Sequence, residues 1–487
     1  MNQSKLSVVE KVGYSLGDLA ANLIFQTLMT FLAFFYTDVY KISAGAASAI
    51  IFIGGFVGAF FNIIMGVIAD RTVSRWGKFR PWILWTSVPF GVIALLAFST
   101  PDFGETGKII YALVTYFALV LIYSANNLPY SALSGVLTGD MAERNSVSSY
   151  RFVAVMIAQF IIQVLLLPLV LILGQGDQAK GFSTTLFIFA VVGTVFFLIT
   201  FFTTRERIVP AAGQTGSIKE DLTDLLKNKP WLIMLGVTIL VFVTLSLKGG
   251  MYIYYFKYYL NPEALSNFLV DIGFVSGIDT LNKGLTSVGL TAFAWPEDAP
   301  TSAFSLFNAG GIICMIFGIG FSKPLADTFG KRDVFSVFLA LSALCLIAFL
   351  FYGTKSIGLV FVTQLAHGFT YGVTIPLLWA MIADVADYSE LINNRRATAI
   401  IFSAMIFGLK VGLSLGGAIG AGLLSMYGYI AESMSQTVAT VEGILWSVSL
   451  YPGLALLTAA FLLRGYIITK SMEKEIESEL KIRRKDA

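Results

Sequence analysis

The chain has few charges, one histidine and little cysteine. Aspartate, glutamate, lysine and arginine make up 13% of its 487 residues, about half the share found in an average soluble domain, whereas 56% of the residues are hydrophobic. The single histidine is His367, and the two cysteines, Cys314 and Cys345, lie inside apolar runs. These low counts exclude a metal site built from histidine and cysteine, and they exclude a disulfide framework.

The sequence motifs of common enzyme chemistry are also missing. The chain contains no phosphate-binding glycine loop with lysine and serine or threonine, no nucleophile elbow and no pair of metal ligands at helical spacing. A net charge of +3 is too small to indicate nucleic-acid binding. We therefore expect no enzyme activity, no cofactor, no bound metal and no nucleic-acid partner. A mean hydropathy of +0.78 indicates a lipid bilayer as the surrounding medium.

Long apolar runs fill most of the chain. A helix needs about 20 residues to cross about 30 Å of hydrocarbon, and about twelve runs have this length. The predicted spans are 13–37, 45–69, 82–100, 108–136, 150–173, 184–203, 231–258, 302–322, 333–352, 357–382, 397–426 and 443–465. The pattern predicts an all-α membrane protein with six spans on each side of a central connection.

The central connection divides the predicted protein into domains. We expect an N-terminal six-helix bundle at 1–203, a linker at 204–230, a C-terminal six-helix bundle at 231–465 and a basic tail at 466–487. Within the linker, residues 218–226 alternate charge with leucine, a pattern that fits either an interfacial amphipathic helix or a solvated segment.

Cations are concentrated on one side of the predicted membrane protein. They crowd the N-terminus, the tail and the even-numbered connections, for example at Arg75, Arg144, Arg205 and Arg395. Because cytoplasmic connections carry the excess of lysine and arginine, both termini are predicted to be cytoplasmic in the inner or plasma membrane. The first thirteen residues are too polar for a secretion signal. The long connection at 259–301 is acid-leaning, and we expect it to form a small outward lid.

A basic hinge occurs once in each half. Residues 66–81 read GVIADRTVSRWGKFRP, and residues 323–332 read KPLADTFGKR. An acid after an apolar helix end, followed by glycine and cations, suits a tight turn whose charges interact with helix ends and anionic headgroups. A repeated hinge of this kind is typical of a transporter with two halves. The predicted gating residues are Asp70, Arg71, Arg75, Lys78, Arg80, Asp327, Lys331 and Arg332.

Polar residues inside the predicted spans recur on single helix faces. The four stripes are Asp18, Asn22 and Gln26; Tyr123, Asn127 and Ser131; Arg151, Gln159 and Gln163; and Thr363, His367 and Tyr371. Residues three or four apart share a face, and a charge within a span usually faces a cavity. Hydrogen bonding between helices is the alternative role for the uncharged members. His367 is either a proton-sensitive group or a hydrogen-bonding partner.

Buried charges and aromatic rings complete a candidate substrate site. An ion pair buried only for structure stabilises a protein little, so charges within the spans favour a role in handling substrate or ions. Polar groups beside rings suit a sugar, whose hydroxyl edges form hydrogen bonds and whose C–H faces lie on rings. The predicted substrate-binding residues are Asp18, Asn22, Gln26, Tyr123, Asn127, Arg151, Lys248, Tyr252, His367, Tyr371, Trp379 and Lys410.

Six motifs are distributed along the chain. They are GYSLGDLAANL at 13–23, FYTDVY at 35–40, IMGVIADRTVSRWGKFRPW at 64–82, NNLPYSAL at 126–133, YYFKYY at 254–259 and IADVADYSE at 382–390. From about residue 10 to residue 465 the chain closely resembles the glycoside-pentoside-hexuronide:cation symporters, the melibiose-permease branch of the major facilitator superfamily. The resemblance implies two six-helix bundles, a central sugar cavity and transport by alternating access.

The resemblance also assigns individual residues. Asp18 matches the family's sugar-binding acid on the first helix, Asn127 the acceptor on the fourth, Arg151 the cation of the fifth and Lys410 the lysine of the eleventh. Melibiose-type carriers have aspartate at the position of Asn127 and an indole at the position of Ser131. The resemblance therefore disfavours a galactoside and points to the glucuronide and pentoside branches.

The second predicted helix departs from the family pattern. Sodium-coupled relatives carry two aspartates one turn apart, and this chain has Gly58 and Asn62 at those positions. Because a sodium ion needs several hard oxygen ligands, the usual sodium site is expected to be missing. The candidates for ion coupling are then Asp18, His367 and the remaining amide, Asn62; the absence of any coupled ion stays open.

The sequence therefore predicts a monomeric secondary active transporter that imports a glycoside or hexuronide with a coupling cation, a proton rather than sodium. The cations Arg151, Lys248 and Lys410 outnumber the single central acid Asp18, which favours an acidic sugar or a uronic-acid oligosaccharide. The alternatives are an uncoupled sugar uniporter and a carrier of lipids or lysolipids.

Overall fold

The computed structural model describes residues 6–138, 141–207, 225–287, 298–393, 398–431, 433 and 435–486, and within them it contains helices and no β-strand. Helices of the first half are α1 Val8–Phe34, α2 Ala44–Arg71, α3 Arg80–Ala97, α4 Glu105–Leu137, α5 Met141–Phe160, α6 Leu166–Gly174 and α7 Gln178–Thr203. Those of the second half are α8 Lys229–Tyr254, α9 Pro262–Asp271, α10 Phe274–Ser287, α11 Ala299–Phe329, α12 Lys331–Ala348, α13 Ile357–Asn393, α14 Thr398–Met426, α15 Val438–Val448, α16 Leu450–Leu462 and α17 Lys470–Asp486.

The predicted number of spans is confirmed within the described residues, where 12 helical segments are long and apolar enough to cross a membrane. Their ends differ from the predicted ones, and at α1 and α8 a polar cap begins the helix before the apolar run. Ser7 begins α1 by accepting a hydrogen bond from the backbone N–H of Glu10 at 3.2 Å. Asn228 begins α8 by accepting one from the backbone N–H of Trp231 at 3.1 Å. Such caps satisfy N–H groups that have no partner inside the helix.

Two motifs at corresponding places in the two halves form the same local structure. The turn Phe35–Val39, in the motif FYTDVY, continues α1 as a π-helix, and the turn Tyr255–Tyr259, in the motif YYFKYY, continues α8 as another. A third π-helical turn, Ile161–Leu165, joins α5 to α6. Single π-turns are rare and local, so their recurrence supports an internal repeat.

The connection predicted at 259–301 contains two helices, α9 and α10, which are bent by 58° relative to each other. By length and composition this bent pair could count as a further span. Residues 288–297 of the connection lie outside the described residues, as do residues 218–224 of the predicted linker helix. The outward lid therefore stays a prediction.

The chain groups into two compact units. Unit 1 comprises Met1–Ala212, Leu269–Ser305 and Leu424–Met434; unit 2 comprises Gly213–Phe268, Leu306–Leu423 and Ser435–Ala487. In unit 1, α1 packs against α5 and α7, while α3 packs against α4 and α7. In unit 2, α12 packs against α13 and α16, and α16 packs against α8. The boundaries predicted at 203 and 230 stay predictions.

Helix faces turned outward are apolar in both units. Phe187, Val191 and Val195 are exposed at four-residue intervals on α7 of unit 1, and Val337 and Leu341 are exposed in the same way on α12 of unit 2. Because residues four apart share a helix face, each row forms an apolar stripe. Such stripes suit contact with acyl chains, because the hydrocarbon region contains no water for polar side chains to bind.

Candidate substrate and ion sites

The predicted acid of α1 and the predicted cation of α5 form an ion pair inside unit 1. Nε of Arg151 donates a hydrogen bond to Oδ2 of Asp18 at 2.8 Å. Asn22, one turn along α1, donates to Oδ1 of Asp18 at 3.2 Å. The side chain of Asp18 is 6% exposed and that of Arg151 is 26% exposed. A carboxylate at this depth needs a cation and a further donor, and the structure supplies both.

Two tyrosines that were not among the predicted site residues hold α1 against α4 beside this ion pair. Tyr14 donates to the backbone oxygen of Tyr130 at 2.9 Å, and Tyr130 donates to the backbone oxygen of Tyr14 at 2.7 Å. The two rings stack with their centroids 4.6 Å apart. The guanidinium carbon of Arg151 lies 5.7 Å and 5.3 Å from these centroids, so the π faces also position the cation. A sequence signal was available, since Tyr14 precedes Asp18 by one helical turn.

Glycine in the first motif allows α1 to approach its neighbours closely. A Cβ atom on Gly17 would lie 2.6 Å from Cε2 of Tyr130 and 2.9 Å from Oγ1 of Thr200. Thr200 on α7 donates to the backbone oxygen of Gly13 at 2.8 Å. The motif GYSLGD therefore brings three helices together, and Asp18 follows directly after this contact.

Three other predicted site residues of unit 1 lie on α1 and α4. Tyr123 on α4 stacks on Phe25 with ring centroids 5.3 Å apart, and it lies within electrostatic range of Asp18 and Arg151. Gln26 and Asn127 are half-buried, and neither forms a hydrogen bond within the described part of the chain. Their amide groups therefore have donors and acceptors available for a ligand.

A second polar cluster joins three helices of unit 2. Nζ of Lys248 on α8 forms a hydrogen bond with Nε2 of His367 on α13. Nδ1 of His367 lies 3.2 Å from the backbone oxygen of Ser342 on α12. The ring centroid of Tyr371 lies 5.0 Å from Nζ and 5.9 Å from the imidazole centroid. The structure therefore brings together Lys248, His367 and Tyr371, which the sequence placed on two different helices.

Three further predicted substrate-binding residues lie in unit 2. Tyr252 is buried, its ring packs edge-on against Phe307 with centroids 5.0 Å apart, and its hydroxyl has no hydrogen-bond partner among the residues that the structure describes. Trp379 on α13 is exposed, and Lys410 on α14 is half-buried. A role of these residues in substrate binding stays a prediction.

The position of one expected sodium ligand is occupied by a neighbouring helix. A Cβ atom on Gly58 of α2 would lie 2.0 Å from Cγ1 of Val120 on α4. Asn62 donates from Nδ2 to the backbone oxygen of Gly58 at 2.9 Å, so this amide group is turned towards its own helix. Among the described residues, no group of three or more His, Cys, Asp and Glu side chains could hold a metal ion.

Glu206, which was not among the predicted gating residues, closes the first basic hinge. Its carboxylate accepts hydrogen bonds from the backbone N–H groups of Lys78 at 2.9 Å, Phe79 at 2.8 Å and Arg80 at 3.0 Å. Gly77 has a φ of 106°, and a Cβ atom there would lie 2.4 Å from the carboxyl carbon of Glu206. An anion is stabilised at a helix N-terminus by the free N–H groups and the helix dipole. Glu206 therefore fixes the start of α3.

Two of the predicted cations of the first hinge contact aromatic rings, and one of them also contacts the backbone. Arg80 donates to the backbone oxygen of Phe201 at 2.7 Å, and its guanidinium carbon lies 4.8 Å from the ring of the same residue. The guanidinium carbon of Arg75 lies 4.3 Å from the centroid of Trp76. The side chains of Asp70 and Arg71 lie outside the described part of the structure.

The second hinge is bound to α13 and to the tail helix α17. Nζ of Lys331 lies 2.6 Å from both carboxylate oxygens of Asp384 and 3.5 Å from Oε2 of Glu473. Burial raises the pKa of Glu473 above its ordinary value, although the nearby Lys331 opposes this shift. The lysine of the hinge thus joins acids from two helices.

The tail helix also binds the end of α11. Lys470 donates from Nζ to the backbone oxygens of Asp327 at 2.6 Å and Thr328 at 3.1 Å. A cation at a helix C-terminus satisfies carbonyl groups that have no partner inside the helix. Arg332 forms an ion pair with Asp333 at 2.8 Å. The first hinge is therefore held by the anion Glu206, whereas the second is held by acids at Lys331 and by the cation of Lys470 at the end of α11.

We expect Glu206→Gln to lower the thermal unfolding temperature of the purified protein, because a neutral amide cannot accept from three N–H groups as a carboxylate does. The expected loss is about 1–2 kcal/mol of stability. Tryptophan fluorescence during heating in detergent measures it. The matched control is Glu105→Gln, which neutralises an exposed acid in the first turn of α4. Equal effects of the two substitutions would contradict the role of Glu206.

Comparison with known proteins identifies the family. The family described as MFS/sugar transport protein matches residues 13–296 and 299–470. The inner membrane symporter YicJ of Escherichia coli is 34% identical over 467 residues, covering 96% of this chain and 93% of the relative. The glucuronide carrier protein homolog of Escherichia coli is 28% identical over 487 residues, covering 100% of this chain and 98% of the relative.

A solved structure supports the fold. The nucleoside transporter NupG has a TM-score of 0.57 and 15% sequence identity, and the comparison covers 95% of this chain and 100% of that one. The 12 apolar helical segments agree with the same architecture of a multi-pass membrane protein. The chain has the major facilitator fold and belongs to the MFS/sugar transport family, in its branch of glycoside-pentoside-hexuronide:cation symporters.

Proposed function

We propose that this sugar symporter imports a glycoside or hexuronide, preferentially an acidic one, in symport with a proton. It acts by alternating access, as a monomer in the inner membrane with both termini in the cytoplasm. The position of cations in the even-numbered connections and the tail supports this orientation.

The observation that carries the proposal is the ion pair between Asp18 and Arg151. A membrane-embedded carboxylate and guanidinium offer hydrogen-bond acceptors and donors of the kind that sugar hydroxyls need. Only the side chain of Arg151 retains substantial exposure, 26%, so the cation is the member that a ligand can reach. The half-buried amides of Gln26 and Asn127 add neutral hydrogen-bonding groups on α1 and α4.

An acidic sugar fits the charges of the two units better than a neutral one. In unit 1, Arg151 presents further N–H donors beyond the one that Asp18 accepts, and a carboxylate can bind a guanidinium through two parallel hydrogen bonds. In unit 2, Lys248 is hydrogen-bonded to a histidine, and no acid among the described residues pairs with it. The name of one relative, a glucuronide carrier protein homolog, supports the same class of substrate.

Coupling to a proton is favoured over coupling to sodium by the packing of α2. Sodium needs several oxygen ligands, and Val120 occupies the space that a side chain at position 58 would need. The amide of Asn62 adds no negative charge to help remove a sodium ion from water.

Transport by purified protein in liposomes tests this function. Counterflow of p-nitrophenyl β-D-glucuronide is expected to exceed that of p-nitrophenyl β-D-xyloside, and a pH gradient, not a sodium gradient, is expected to drive accumulation. Equilibration that no ion gradient changes would indicate a uniporter. Preference for the xyloside would reject the acidic substrate, and transport of lysophosphatidylcholine without either glycoside would reject sugar transport.

A further inference from the structure

Two nitrogen bases are buried against each other in unit 2. The side chains belong to Lys248, which is 8% exposed, and His367, which is 1% exposed. Neither forms an ion pair with a carboxylate within the described part of the chain. We infer that Lys248 and His367 together form the proton-carrying site of the transporter, an inference that rests on the proton coupling proposed above.

The contacts of the imidazole determine which nitrogen bears a hydrogen. Nδ1 of His367 lies 3.2 Å from the backbone oxygen of Ser342, and a carbonyl oxygen can only accept a hydrogen bond. Nδ1 is therefore the donor. Nε2 then faces Nζ of Lys248, and one hydrogen lies between these two nitrogens.

This geometry allows two protonation states with the same contacts. In the neutral state, the amine of Lys248 donates to the lone pair of Nε2. When the pair gains one proton from water, Lys248 becomes an ammonium, or His367 becomes an imidazolium whose Nε2–H donates to the amine. In both cases the hydrogen bond persists and the pair carries one positive charge. A second proton would place two cations in direct contact, which like-charge repulsion opposes. The pair therefore binds and releases a single proton.

The surroundings make that charge depend on conformation. Two groups near the pair are the thiol of Cys345, which lies within electrostatic range of Lys248, and the ring of Tyr371. The aromatic ring at 5.0 Å attracts a cation, but it does not neutralise one. Keeping an uncompensated charge in a dry interior is costly. A conformation that admits water or an anionic substrate to the pair therefore favours proton uptake, and a closed one favours release.

Nuclear magnetic resonance can test the pair without any substrate, because His367 is the single histidine of the chain. We expect the full-length protein, labelled with ¹⁵N-histidine in nanodiscs, to show a hydrogen on Nδ1 from pH 5 to pH 9. The Nε2 resonance should move in one step as the pair takes up its proton. In Lys248→Met, the midpoint of that step should move by about one pH unit or more, the shift expected for strongly interacting groups. A hydrogen on Nε2 alone, or an unchanged titration in Lys248→Met, would overturn the inference.

Transport measurements then connect the pair to coupling. In liposomes containing Lys248→Met, the ratio of accumulation driven by a pH gradient to counterflow of p-nitrophenyl β-D-glucuronide is expected to fall at least about tenfold. The control is Lys355→Met, which removes an exposed lysine of the same unit. Equal losses of accumulation and counterflow would make Lys248 a substrate-binding residue and reject the proton role. If wild-type protein transports no glycoside, the proposed function fails, while the resonance titration still decides whether the pair shares a proton.

Discussion

Replacement of Arg151 by glutamine is expected to reduce the binding and transport of an acidic glycoside by at least about 100-fold. Removing one partner of a buried, hydrogen-bonded charge pair usually costs 2–5 kcal/mol, and 2.7 kcal/mol corresponds to about 100-fold. Two separate losses contribute. The substrate carboxylate loses a bidentate donor, and Asp18 loses its cation at 2.8 Å while it stays buried.

Calorimetric titration of purified protein with p-nitrophenyl β-D-glucuronide and with the neutral xyloside can separate these losses. If Arg151 binds the substrate carboxylate, the glucuronide loses far more affinity than the xyloside. The double variant Asp18→Asn/Arg151→Gln should recover thermal stability relative to Arg151→Gln, because no unpaired buried charge remains. Arg205→Ala, which removes an exposed cation of the same unit, is the matched control and should bind both sugars normally. Equal losses for the two sugars would contradict recognition of an acidic group by Arg151.

The triple variant Gly58→Asp/Asn62→Asp/Val120→Ala is expected to respond to sodium, which the natural chain should not. The two new acids place carboxylates at the positions where the family resemblance implies the aspartates of a sodium site. The third substitution is required because a Cβ atom at position 58 lies 2.0 Å from Cγ1 of Val120. Removing both γ-methyl groups of that valine opens space between α2 and α4 for the aspartate.

Two of the single substitutions have expected results of their own. Gly58→Asp alone should unfold at a lower temperature, since overpacking a tight contact costs about 1–3 kcal/mol. Val120→Ala alone should remain insensitive to sodium. Thermal unfolding in sodium chloride compared with potassium chloride measures sodium binding, because a ligand that binds only the folded state raises its stability. Sodium stabilisation of the natural chain would reject the proton assignment, and a triple variant insensitive to sodium would reject the role of Val120 as the obstacle.

Much of the fold could be predicted from local sequence. The number of spans follows from apolar runs of about 20 residues, because a membrane crossing has a fixed length. The predicted helix ends were less accurate. Ser7, for example, extends α1 through one hydrogen bond, which a hydropathy pattern cannot show. In the candidate site, the one-turn spacing of Asp18 and Asn22 correctly indicated a common face, because helical periodicity fixes which neighbours meet.

Which side chains contact each other could be read only from the tertiary structure. From the sequence, Arg151 and Lys248 were predicted to bind substrate for the same reason: each is a cation within a predicted span. The structure pairs the first with a carboxylate and the second with a histidine, which gives them different chemistry. The stacked pair of Tyr14 and Tyr130 joins residues 116 positions apart, and no local pattern encodes such a distance.

The sequence alone determined that this chain is helical, crosses the membrane repeatedly and carries polar stripes along several helices, because hydropathy and helical periodicity are properties of neighbouring residues. Tertiary structure decided which of those stripes meet, that Glu206 binds the start of α3 and that Val120 occupies the space beside Gly58. These contacts depend on how separate helices pack, and packing is set by the shapes of surfaces that lie far apart in the chain.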